Sequence, residues 1–66
     1  MALKRRQREI LKALKSFGGQ ATTAAIAEKT SLDVKGVAQT LDALFVYVEL
    51  VHGKGREATW RIIRSS

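Results

Sequence analysis

Cysteine and proline are both missing from these 66 residues, and the aromatic complement is one tryptophan, one tyrosine and two phenylalanines. Without cysteine there is no disulfide framework, no zinc-thiolate site and no thiol nucleophile, so nothing points to an oxidising compartment. No repeat or low-complexity linker divides the chain, and its length holds one domain, residues 1–66. A core of this size leaves only about 3 to 5 kcal/mol of net stability without staples. The single histidine, His52, has no second histidine or paired carboxylate close by to make a triad or a metal site, and it reads as the end of a strand. No catalytic residue, metal, cofactor or small-molecule substrate is expected. The longest apolar run, Leu44 to Val48, is far too short for a membrane span or a signal-peptide core. The expected location is therefore the cytoplasm, with the nucleoid, or the nucleus, neither secreted nor anchored.

What the chain does have is positive charge. Twelve Lys and Arg against six Asp and Glu give a formal +6 at pH 7, a bias toward polyanions. Residues 1–17 hold six of the cations and one acid, residues 18–45 two cations and three acids, and residues 46–66 four cations and two acids. The ends are basic and the middle is not.

Leu3, Ile10, Leu11, Leu14 and Phe17 recur at helical spacing, which predicts a helix over about 3–17, stopped by Gly18 and Gly19. Gly18, Gly19 and Gln20 also match the tripeptide of peptide-release factors, but on this chain they read as a helix stop. A short alanine-rich helix over about 23–30 follows, with a threonine at its start able to cap the free amides and a small buried face of Ile26 and Ala27. Asp33 has the placement of an N-cap, with Leu32 before it and Val37 after it spaced as a hydrophobic staple. The third helix then covers about 33–45. At 100° per residue Val37, Leu41, Leu44 and Phe45 fall on one side, and Lys35, Gly36, Gln39, Asp42 and Ala43 on the other.

From Val46 the apolar period changes to two. Val48 and Leu50 alternate with Glu49, and Trp60 and Ile62 alternate with Arg61, which predicts a two-stranded hairpin over about 48–52 and 57–63. With its tip at 54–56, Leu50 faces Trp60 and Val48 faces Ile62, so that one apolar face covers the helices. Ser65 and Ser66 read as a frayed end. The fold class is α+β, three helices followed by a hairpin.

This order resembles a winged helix-turn-helix domain. Residues 24–44, AAIAEKTSLDVKGVAQTLDAL, are similar to the helix-turn-helix of the multiple-antibiotic-resistance and arsenical-resistance repressor families, with Ile26, Leu32, Asp33, Val37, Leu41 and Leu44 in the patterned places. VELVHGKGREATWRII looks like the strand, wing and strand of the same fold. The resemblance implies double-stranded DNA as partner and transcription regulation as function, with the third helix in the major groove and the 53–56 tip as wing. The extra helix that many such repressors use to dimerise is not seen after the wing, so a homodimer or a protein partner stays open. A narrower resemblance links Ala21 to Ala24, Trp60 and Ile62 to the Z-DNA-binding domain of the RNA-editing adenosine deaminases. There an Asn and a Tyr of the third helix contact the backbone and two prolines stiffen the wing. This chain has Ala38, Asp42, Glu57 and Ala58 at those places, and only Lys35 and Trp60 remain of the contact set.

The residues expected at DNA follow. Gln39 can bond adenine bidentately, Lys35 can reach guanine or phosphate, and Gly36 lets the backbone approach the duplex. Lys54 and Arg56 reach a phosphate or the minor groove from the wing, although a glycine-built hairpin turn with basic residues for solubility would look the same. The sequence here is no phosphate-binding loop, since that motif's Lys precedes Ser or Thr and opens a helix. Arg5, Arg6 and Arg8 lie along the backbone, in a run of cations that is unfavourable at a helix N-terminus unless a polyanion offsets it. Thr23 sets helix amides against a phosphate or simply caps. The alternative to DNA is a winged-helix protein-interaction module, in which Asp33 and Asp42 belong to a solvated face and Val34 and Ala43 dock a partner.

Overall fold

The structure is a computed structural model that describes residues 3–64. The expected frayed end at Ser65 and Ser66 lies outside that range. The first helix, α1, runs Arg5–Ser16. The backbone N–H of Lys4, just before it, donates to Gln7 Oε1 at 2.9 Å, so one orphan amide of the helix entrance is satisfied. Ile10, Leu11, Ala13 and Leu14 are buried, and Leu3 packs against them. Phe17 does not complete the stripe: the helix ends at Ser16, Phe17 leaves the helical wheel, and its side chain is exposed. Gly18 and Gly19 both take positive φ, which stops the helix.

Gln20–Thr22 then forms a strand, β1, in place of the expected connection. The second helix, α2, runs Thr23–Thr30, with Thr22 as its cap accepting from Ala25 N at 3.1 Å. It ends at Ser31, whose φ of 61° is left-handed, and the amide of Leu32 closes back on Ala27 O at 3.1 Å. The third helix, α3, runs Val34–Ala43, capped by Asp33 through Gly36 N at 3.2 Å. Val37 and Leu41 are buried and Leu32 packs on the core, as the staple requires. The helix is shorter than 33–45. Tyr47 N and Val48 N both turn back to Leu44 O, so Phe45 swings out and is 74% exposed instead of joining Val37, Leu41 and Leu44.

The sheet has three antiparallel strands in the order β1-β3-β2, where β2 is Val48–His52 and β3 is Thr59–Ile62. The two-stranded expectation is therefore corrected. β1 pairs Gln20, Ala21 and Thr22 with Arg61, Trp60 and Thr59, and the amide of Ile62 reaches Gly19 O at 2.8 Å. Between β2 and β3 the expected register holds, Val48 opposite Ile62 and Leu50 opposite Trp60, followed by a bulge at Val51 that sets His52 opposite Thr59. Val48 and Trp60 are buried, but Leu50 is half exposed. It stands on an edge strand, whereas Trp60 lies on the central one with a neighbour on each side, so only part of the apolar face covers the helices. Residues 55–57 make a single 3-10 turn, and Ala58 behind it is buried. The core joins α1, α2, α3, Val48, Ala58 and Trp60 into one cluster. No helix among the described residues is long and apolar enough to cross a membrane.

Candidate nucleic-acid interface

Because Val37 and Leu41 are fully buried, the opposite side of α3 faces outward, and Lys35, Gln39, Asp42 and Ala43 are exposed there. Gln39 sits near the middle of that face. On one flank a groove is lined by Lys4, Arg6 and Gln7 from the start of α1 together with Gln39, Thr40 and Ala43. On the other flank a cleft brings Arg56 of the 53–58 loop beside Asp33, Val34 and Lys35. The tip is thus folded against the entrances of α2 and α3. It is tied there by Ala58 O, which accepts both the amide of Thr23 at 2.9 Å and its hydroxyl at 3.2 Å. Gly53, with φ of 82°, makes the close passage: a Cβ at that position would meet Glu57 O at 2.8 Å.

The cations around α3 are electrostatically uncommitted. Among the described residues, ion pairs join only Arg5 to Glu9, at 3.4 Å, and Arg61 to Glu49 across the strands. Both pairs are largely exposed and contribute little to stability. Lys4, Arg6, Lys35, Lys54 and Arg56 form none. Asp33 spends its carboxylate on Gly36 N, which leaves it oriented toward the helix backbone, whereas Asp42 is exposed one turn beyond Gln39 on the same face and Glu28 lines the cleft with Arg56.

The structure brings four of the nine sequence-derived candidates onto this one surface, Lys35, Gln39, Arg6 and Arg56, and leaves Lys54 exposed two residues before Arg56 in the same loop. Gly36 is only half open. A Cβ there would lie 3.0 Å from Asp33 Oδ1 and 3.9 Å from Arg6 Nη1, so these two side chains stand over the bare backbone that was expected to meet the duplex. Thr23 is a correction. It is fully buried, and its hydroxyl donates to Ala58 O and accepts the indole N–H of Trp60 at 2.9 Å, leaving nothing for a phosphate. Arg5 and Arg8 are exposed on a different side of α1 from Arg6, for a helix turns 100° per residue and the run KRRQR cannot point one way. Lys4 joins the groove although it had not been singled out; its place in the same basic run was the only signal. Among the described residues no group of three or more His, Cys, Asp or Glu is placed to hold a metal ion. No protein-family model, curated protein or solved structure matches the chain.

Proposed function

We propose that the chain is a winged helix-turn-helix domain that binds double-stranded DNA, acting as a small transcriptional regulator. In this reading α3 enters the major groove, and Lys54 and Arg56 touch the backbone or minor groove beside it. The observation that carries the proposal is the setting of Gln39: an exposed amide on an outward helix face, with Lys4 and Arg6 on one flank and Lys35 and Arg56 on the other, none of them paired with an acid. Base readout needs such a donor-acceptor group at the centre, and affinity needs cations at the rim. The order of elements, two helices joined by the tight turn at Ser31 and followed by a strand, loop and strand, supports the same reading. Asp33 is committed to its cap, and Asp42, one turn beyond Gln39 on the exposed face, fits a groove only where it meets a cytosine amine. B-form DNA is the form proposed, since Ala38 and Asp42 offer a Z-form backbone neither the amide nor the phenol that would hold it.

Binding of a labelled mixed-sequence duplex across a salt series tests this. Five cations on phosphates predict that log K falls with log salt at a slope of about −4 to −5. An affinity that barely changes with salt would contradict it. That outcome would favour a second reading, docking of a protein partner. It draws on Phe45, 74% exposed, and on the apolar groove of about 380 Å³ that Phe45, Val46 and Tyr47 line with Leu3 and Leu44.

A further inference from the structure

The run KRRQR is split by α1 into two faces, and the second face is not next to α3. At 100° per residue, Arg5, Arg8, Lys12 and Lys15 fall within about 80° of arc, centred opposite the buried Ile10 and Leu14. All four are exposed. Arg6 and Gln7 are on the flank that reaches Gln39, whereas Lys12 lies toward α2, in a cleft shared with Lys29. From Arg5 to Lys15 the stripe is about 15 Å long at the helical rise. Its one acid, Glu9, is neutralised by Arg5. Arg8 gives one N–H to Leu3 O at 2.7 Å, and among the described residues its other donors meet no partner.

We propose that this outer stripe of α1 is a second polyanion site, which takes the backbone of a second DNA duplex, so that one chain bridges two duplexes. The inference rests on the duplex-binding reading of α3. Over about 15 Å of axis a duplex presents about nine phosphate charges, more than enough to engage Arg8, Lys12 and Lys15, the three cations not paired with Glu9. A membrane surface fits less well, because the apolar side of α1 is buried in the core and the stripe is bordered by Glu9 and Ser16, with nothing to insert into lipid.

The test is a bridging assay. One duplex is fixed on beads, a labelled second duplex is added with the chain, and retained label is compared with binding to a single duplex in solution. The wild type retains label. The variant Arg8→Gln, Lys12→Gln, Lys15→Gln still binds the single duplex through α3, but retains about tenfold less label because its three phosphate contacts are lost. Trp60 emission reports whether that variant is folded, and Lys12→Gln with Lys15→Gln replaces it if not. Undiminished retention overturns the proposal, as it would if two α3 faces were joined in a dimer. Loss of single-duplex binding in step with retention also overturns it, since the stripe then belongs to the first site. A wild type that binds one duplex and retains no label overturns the bridge while leaving the α3 reading intact, and one that binds no duplex overturns both. Sedimentation of the wild type, but not the variant, with phosphatidylserine vesicles, and unchanged retention, would assign the stripe to lipid instead.

Discussion

The indole N–H of Trp60 donates to the hydroxyl of Thr23 at 2.9 Å inside the protein, and that hydroxyl donates in turn to Ala58 O. Central strand, α2 entrance and the loop that carries Arg56 are thereby locked to one another. Thr23→Val keeps the shape and removes the acceptor, leaving a buried N–H unpaired at a cost of about 1 to 3 kcal/mol. Set against roughly 3 to 5 kcal/mol for a domain of this size, that is a large share. Thr23→Ser keeps the hydroxyl and should lose only about 1 kcal/mol, for the missing methyl. Urea unfolding followed by Trp60 emission measures both; equal losses would mean that the hydrogen bond contributes nothing.

Ser31 holds a left-handed conformation at the end of α2, in the turn that leads to α3. That backbone costs a residue with a Cβ about 1 to 2 kcal/mol, part of which glycine gives back through its freer unfolded state. Ser31→Gly should therefore raise stability by about 0.5 to 1 kcal/mol without altering duplex affinity. A lower unfolding midpoint would show that the Ser31 side chain does something the geometry does not reveal.

The helices were legible in the sequence because each announces itself more than once. Periodicity and the glycine stop agree for α1, a threonine cap precedes α2, and Asp33 with Leu32 and Val37 marks the start of α3. β1 was hidden. Three residues, Gln20 to Thr22, are too few to show alternation, and their partner is a strand about forty residues away. Phe45 was read as core by continuing the helical wheel past Ala43, and Leu50 by strand alternation opposite Trp60. Where a helix stops and which strand lies at the edge are settled by tertiary packing, which no local pattern records. The site divides the same way. Lys35 and Gln39 follow from the helical wheel once Val37 and Leu41 are inward. The split of Arg6 from Arg5 and Arg8 follows from the helical turn, but which side meets α3 needed the position of α1, and the burial of Thr23 needed Trp60.

Lys54 and Arg56 border the interface from the loop between β2 and β3, and both are exposed. Replacing both with Ala should lower affinity similarly on all duplex sequences and flatten the salt slope by about one to two units. Binding measured across a salt series decides; an unchanged slope would make the tip an ordinary turn.

In the proposed duplex reading, Gln39 is the residue that meets base edges. Gln39→Ala should cost about 1 to 3 kcal/mol on a preferred site and much less on scrambled duplex, whereas Arg6→Ala should weaken both alike. Competition binding against the two duplexes separates them. Equal losses for Gln39→Ala would mean that its amide meets no base edge.

The most direct measurement is an amide-shift titration of the chain with a mixed-sequence duplex, followed from the first additions. Binding through α3 predicts that the earliest and largest shifts gather at residues 35–40, at 54–56 and at Lys4 and Arg6, and that they fade as salt is raised. Shifts confined to Phe45, Val46 and Tyr47, or none at duplex concentrations that saturate ordinary non-specific binding, would contradict the account.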